Sequence, residues 1–236
     1  MEQAPDPLVI FDCDGVLVDS EPLSIRVLID VARAHGAELD EAEAYRKFLG
    51  RSLSNLVSVL DSDFGISADE GFLERMRRDL YARFETELQP VAGVAEALAT
   101  LPFRRCVASS SQPERIRLSL RLTGLLSFFE PDIFSATMVE NGKPAPDLFL
   151  HAARAMETEP AHCIVIEDSP AGILAAKRAG MTVFAFTGGS HADREEYRRE
   201  VAALSPHVTF DAMSDLLHLV QKYGSEPADR SSFPAP

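Results

Sequence analysis

The chain has 236 residues, 46% hydrophobic and 25% charged, a globular composition that suits one large domain or a core domain carrying an insertion. A formal net charge of -14 at pH 7 repels polyanions, and no basic patch with interleaved aromatics offsets it, so nucleic acid is not an expected partner. No apolar run reaches the roughly 18 residues of a membrane span, and the acidic start MEQAPDP lacks the regions of a secretory signal, so the chain is expected in the cytoplasm, away from membranes.

The first apolar run, LVIF at 8–11, is short and continuous, as in a strand buried on both faces of a parallel sheet, and it ends at Asp12. From residue 20 to residue 90 no strand pattern appears. Helical patterns at 20–35, 40–49, 54–64 and 67–88 are punctuated by Gly36, Gly50 and Gly65, and Ser67-Ala68-Asp69-Glu70 reads as a capping box for the last of them. Strand-like runs then alternate with helices. RCVA at 105–108 leads to a helix that the capping box Ser111-Gln112-Pro113-Glu114 starts and Gly124 ends. DIFSA at 132–136, a helix over 147–156, CIVI at 163–166, a helix from 170 to the stop at Gly180, TVFAF at 182–186 and HVTF at 207–210 complete the pattern.

This alternation predicts an α/β fold, a doubly wound parallel sheet with sites at the carboxyl ends of its strands. A helical insertion after the first strand of such a sheet overhangs that edge, so residues 20–90 are expected to form an all-helical cap. The core is then 1–19 with 91–223, and the polar, Pro- and Ser-rich stretch 224–236 reads as a disordered tail. Cys13, Cys106 and Cys163 lie in or at the ends of strand-like runs, an odd number that suits reduced packing residues rather than disulfides.

Two segments place acids at strand ends. Asp12-Cys13-Asp14-Gly15 follows LVIF, and Glu167-Asp168-Ser169 follows CIVI. Alone, the first is equally an Asp-rich turn closed by Gly15. If the two strands are neighbours, four carboxylates converge, and hard oxygen ligands of that kind suit Mg²⁺. RCVA runs into Ser109-Ser110-Ser111 ahead of a helix, which presents a hydroxyl and N–H groups to an anion. Ser109 is the ligand candidate there, and Ser111 is expected only to cap the helix. Lys143, one of four lysines, sits in a loop stiffened by Pro144 and Pro146. The six histidines show no metal-ligand spacing and receive no role.

Together these segments resemble the haloacid dehalogenase superfamily of hydrolases: DxDG at 12–15, a serine after an apolar strand, a lysine before a Pro-x-Pro-Asp turn, and an acidic pair after another strand. Each motif alone is weak, and the four in order and spacing, spanning residues 8 to about 220, carry the likeness. The helical insertion is similar to the small cap of the subfamily that contains β-phosphoglucomutase and the sugar phosphatases. The resemblance implies a Mg²⁺-dependent phosphatase in which Asp12 attacks phosphorus to form an aspartyl phosphate and Asp14 serves as general acid and base. It implies that Mg²⁺ rests on Asp12, the Asp14 carbonyl and Asp168, with Glu167 as direct or outer support, and that Ser109, Ser110 and Lys143 hold the phosphoryl oxygens. Arg51 and Glu21 in the cap are the candidates for contacting the rest of the substrate. The expected partner is a small phosphorylated metabolite, a sugar, sugar-acid or polyol phosphate, and the chain is expected to act as a monomer.

Asp14 argues against a dehalogenase, which lacks the second aspartate, and the cap's single lysine, Lys47, precedes Gly50 rather than following it as a phosphonatase would need. A signalling receiver domain is half this length and has no comparable cap. A phosphosugar mutase and a non-enzymatic sugar-phosphate-binding protein are the remaining alternatives. Where β-phosphoglucomutases carry a cap arginine and a first-helix histidine this chain has Leu53 and Ser24, so water is the expected acceptor.

Overall fold

The computed structural model describes residues 6–48 and 53–224. The Arg51 candidate and the expected tail beyond Gly224 lie outside the described residues. The chain divides into two units, one formed by the chain up to Asp19 and from Pro90 onward, the other spanning Ser20–Gln89.

Strand β1 (Leu8–Phe11) opens the first unit, and four helices form the second: α1 (Glu21–Ala34), α2 (Glu41–Phe48), α3 (Leu53–Phe64) and α4 (Glu70–Glu87). Within that helical unit α1 and α4 are tied by Arg83 to Asp30 at 2.6 Å and Arg26 to Glu87 at 3.1 Å, while His35 packs edge-on against Phe72. The capping box expected at Ser67 does not form. Asp69 is the N-cap of α4, its carboxylate accepting the Phe72 N–H at 2.9 Å, because extended backbone at Asp69 brings that oxygen to the third amide of the helix.

After Pro90 the first unit resumes with α5 (Val94–Thr100), β2 (Arg105–Ser109), α6 (Pro113–Leu122), β3 (Ile133–Ser135), α7 (Asp147–Ala155), β4 (Cys163–Glu167), α8 (Pro170–Arg178), β5 (Thr182–Phe186), α9 (Glu195–Ala203), β6 (Val208–Phe210) and α10 (Leu216–Tyr223). All six strands are parallel, in the order β3-β2-β1-β4-β5-β6. The order runs outward in both directions from β1, which makes the sheet doubly wound and puts a crevice at the carboxyl ends of β1 and its neighbours. β1, β4 and β5 are buried along their whole length, as continuous runs of Val, Ile, Leu and Phe require when helices cover both faces of a sheet.

The strand-like runs in the sequence coincide with the six strands to within a residue or so at each end. The helix after β2 differs from expectation at its start. Gln112 is its N-cap, with no side-chain cap bond, and Pro113 is its first residue, so Ser111 is one residue too early to cap it. Among the described residues no helix is long and apolar enough to cross a membrane.

The two candidate caps of α4 are separable by experiment. Asp69→Ala should destabilise the protein by about 1 kcal/mol in urea unfolding, and Ser67→Ala should leave it near wild type. The reverse ranking would return the cap to Ser67.

Candidate active site

Register places the acids. Phe11 pairs with Val107 on β2 and Ile166 on β4, and the Asp12 N–H donates to the Ile166 carbonyl at 3.0 Å, extending the ladder one step past β1. Asp12, Glu167 and Asp168 therefore leave adjacent strands at one level, and all three are buried. Ser109 ends β2 beside them, also buried.

A single ammonium holds this edge together. Lys143 Nζ donates to Asp12 Oδ1 at 2.6 Å, Glu167 Oε1 at 2.7 Å and the Ala108 carbonyl at 3.0 Å, which uses all three of its donors. Its side chain is only 4% exposed. Glu167 in turn accepts the Ser169 N–H at 2.7 Å and the Ser169 hydroxyl at 3.0 Å through Oε2, and Ser169 caps α8. Gly172 in the first turn of α8 makes room for this, since a Cβ there would lie 1.7 Å from Glu167 Oε1.

The charges do not balance within the cluster. Burial pushes the Asp12 carboxyl well above its ordinary range, Lys143 pulls it down, and Glu167, Asp168 and Asp14 push it up again. Burial also raises Glu167, against the pull of Lys143 and with a further push from Asp168. For Lys143 burial works against the charge, yet the Asp12 and Glu167 carboxylates at hydrogen-bond distance hold the ammonium above the ordinary lysine range. Three buried acids against one buried cation, with oxygen donors throughout, fit a hard divalent cation.

The other two acids have their own partners, apart from the lysine that Asp12 and Glu167 share. Asp14 accepts the Ser111 hydroxyl at 2.7 Å and an Arg115 N–H at 2.9 Å. Ser111, expected only to cap α6, is thus part of the site. Its N–H donates to Ser109 Oγ at 3.1 Å and its carbonyl accepts the Ser135 hydroxyl at 2.7 Å, which fixes the turn between β2 and α6. Ser110 is exposed between them. Asp168 Oδ2 lies 2.8 Å from His191 Nε2, and the Asp168 carbonyl accepts the Tyr197 hydroxyl at 2.8 Å. Among the described residues, no three His, Cys, Asp or Glu side chains close on one point as a metal cage. Mg²⁺ does not need one, since it commonly takes one or two carboxylates and completes its shell with water and phosphate oxygens.

Gly15 is where the two motifs meet. It has φ 81°, and a Cβ on it would lie 2.0 Å from Asp168 Oδ2 and 2.9 Å from His191 Cε1, so the turn needs glycine for both conformation and space. Glu21, half-buried, is the first residue of α1, where a carboxylate is favoured by the helix dipole.

Sequence reasoning missed Ser111, Arg115, His191 and Tyr197. Arg115 carried a signal, since a cation in the first turn of a helix opposes the dipole and implies an acidic partner. So did Gly188-Gly189 ahead of His191, paired glycines after a strand end marking close backbone approach.

The family described as haloacid dehalogenase-like hydrolase matches residues 9–186. A 6-phosphogluconate phosphatase of Escherichia coli is 32% identical over 78% of this chain and 83% of its own. Hexitol phosphatase A of the same organism is 32% identical over 75% of this chain and 81% of its own. The crystal structure of a conserved haloacid dehalogenase-like protein from Agrobacterium tumefaciens superposes with a TM-score of 0.81 at 32% identity, covering 92% of this chain and 99% of that one.

The raised Asp12 carboxyl has a measurable consequence. A carboxyl whose folded pKa is raised contributes stability that is present below its unfolded value, near 4, and is lost as the pH climbs toward the folded value. In EDTA, the stability of Asp12→Asn relative to wild type should therefore increase as the pH rises above about 4 in thermal melts. A difference that stays constant as the pH rises would show that Asp12 carries no such burial penalty.

Proposed function

The chain belongs to the haloacid dehalogenase-like hydrolases and is a phosphatase, and from that premise we propose that it hydrolyses a small phosphorylated carbohydrate through an aspartyl phosphate on Asp12. The observation that carries this reading is the buried Lys143 ammonium bridging Asp12 and Glu167 at the carboxyl edge of β1 and β4. It pulls the Asp12 carboxyl toward its ionised form against the effect of burial and aims it in a water-poor place, and the ionised form is the one a nucleophile toward phosphorus requires. The names of the relatives, acting on a sugar acid and on hexitols, support a sugar, sugar-acid or polyol phosphate as substrate.

In this reading an Asp12 oxygen attacks phosphorus in line as the bond to the leaving oxygen breaks, and Asp14 gives that oxygen its proton. Asp14 then takes a proton from water, whose oxygen attacks phosphorus and breaks the bond to Asp12, releasing phosphate. Ser111 and Arg115 hold the Asp14 carboxyl for both steps. Ser109 and the Ser110 N–H receive phosphoryl oxygens beside Lys143. Asp12, Asp168 and the Asp14 carbonyl would hold Mg²⁺, which supplies positive charge against the nucleophile and the phosphate. Glu167, with both oxygens committed to Lys143 and Ser169, supports the site through the lysine. Arg51 and Glu21 are the residues to vary when substrates are ranked.

Asp12→Asn should abolish phosphate release from p-nitrophenyl phosphate while the fold persists, and full activity in that variant would remove Asp12 as nucleophile. EDTA should stop turnover and Mg²⁺ should restore it, with Asp168→Ala sharply raising the Mg²⁺ requirement. An unchanged requirement would take Asp168 out of the ligand set.

The acceptor is tested with β-glucose 1-phosphate and a trace of glucose 1,6-bisphosphate. Inorganic phosphate with little glucose 6-phosphate is the expected product pattern. Rapid conversion to glucose 6-phosphate without phosphate release would establish a mutase instead.

A further inference from the structure

We propose that the segment following β5 is a brace for Asp168, with His191 and Tyr197 as positioning residues that set the affinity of the site for a divalent cation. The inference rests on the reading of Asp168 as a metal ligand. His191 belongs to a short turn, Ser190–Asp193, and its side chain is completely buried. Its Nε2 stands 2.8 Å from Asp168 Oδ2. Tyr197, early in α9, packs edge-on against the His191 ring with centroids 5.3 Å apart and donates its hydroxyl to the backbone carbonyl of Asp168 at 2.8 Å. One short segment thus grips the same residue by its side chain and by its main chain.

The packing around the imidazole is built for that contact. A Cβ on Gly189 would lie 2.7 Å from His191 Cε1 and one on Gly15 would lie 2.9 Å from the same atom, so glycines on two separate loops clear space for the ring. Gly189 has φ -67°, which any residue adopts, so there glycine serves space rather than backbone conformation. Burying an imidazole is costly without a polar partner, and its partner here is the acid that follows β4.

An unbraced aspartate at a strand end can rotate about χ1 and χ2. With Oδ2 fixed and the backbone carbonyl held, the direction of Oδ1 is set before any cation arrives, and the ordering cost does not fall on binding. Partners that orient a ligating carboxylate in this way are worth about 10- to 100-fold in metal affinity.

The test uses full-length metal-free protein and Mg²⁺ alone, with binding followed by calorimetry and by the Mg²⁺-induced rise in melting temperature. His191→Leu should weaken Mg²⁺ binding by about 10- to 100-fold. His191→Gln, whose amide N–H reaches the Nε2 position, should recover most of that loss, and Tyr197→Phe should weaken binding several-fold. With p-nitrophenyl phosphate the defect should appear as a higher Mg²⁺ half-saturation, with kcat largely regained at saturating Mg²⁺. If His191→Leu lacks a cooperative melt in EDTA, Tyr197→Phe decides the matter, since it removes only a hydroxyl. Wild-type Mg²⁺ affinity in both His191→Leu and Tyr197→Phe, alongside lost affinity in Asp168→Ala, overturns the brace and spares the metal site. Wild-type affinity in Asp168→Ala overturns the metal site and the brace with it. A kcat that stays low at saturating Mg²⁺ with unchanged affinity also overturns the brace.

Discussion

A lysine ammonium buried between two carboxylates is the constraint on which the carboxyl edge of the sheet is organised. Asp12 and Glu167 leave adjacent parallel strands at the same level, and both are deprived of water. Without Lys143 the two charges would have to neutralise or find solvent, and removing one member of a buried pair of this kind costs roughly 3–5 kcal/mol. The lysine in turn depends on Glu167, whose other oxygen is taken by Ser169, and Glu167 depends on Gly172 having no side chain. A chain of contacts therefore runs from the loop carrying Lys143, across the strand ends, into the first turn of α8.

The remaining acids are handled by separation. Asp14 is given to Ser111 and Arg115 from the start of α6, and Asp168 to His191 and Tyr197 from the segment after β5. Each of these two carboxylates has donors from a different element, so neither competes with Asp12 and Glu167 for the lysine they share. Burial is the main reason the Asp12 carboxyl is raised, and the arrangement adds to it by leaving more negative than positive charge around Asp12. An enzyme that must bring a phosphate dianion to this place gains from a site that binds a divalent cation strongly enough to reverse the local sign.

Glycine does different work at different points of the site. Gly15 supplies a left-handed conformation and the space for Asp168, while Gly172 and Gly189 supply only space, for a carboxylate and an imidazole respectively. Close approach of charged side chains to the backbone is what makes these positions intolerant. Nothing in hydrophobic periodicity marks them.

Much of this protein was legible in its sequence. Continuous apolar runs between helical patterns are dictated by burial on both faces of a parallel sheet, so the six strands, the α/β class and the acids at the ends of β1 and β4 follow from local composition. Lys143 was legible because two prolines stiffen its loop. The partners of the acids were not legible, because they come from elements far along the chain: Asp14 and Arg115 are 101 residues apart, and His191 meets Asp168 only because β4 and β5 are neighbours. A capping pattern also reads the same whether its serine caps a helix or turns to an acid across the sheet edge, as Ser111 does. Residue type and spacing determined which chemistry the chain could carry. Strand order decided which side chains meet, because contact between distant segments is set by the sheet's topology and register rather than by anything local to either segment.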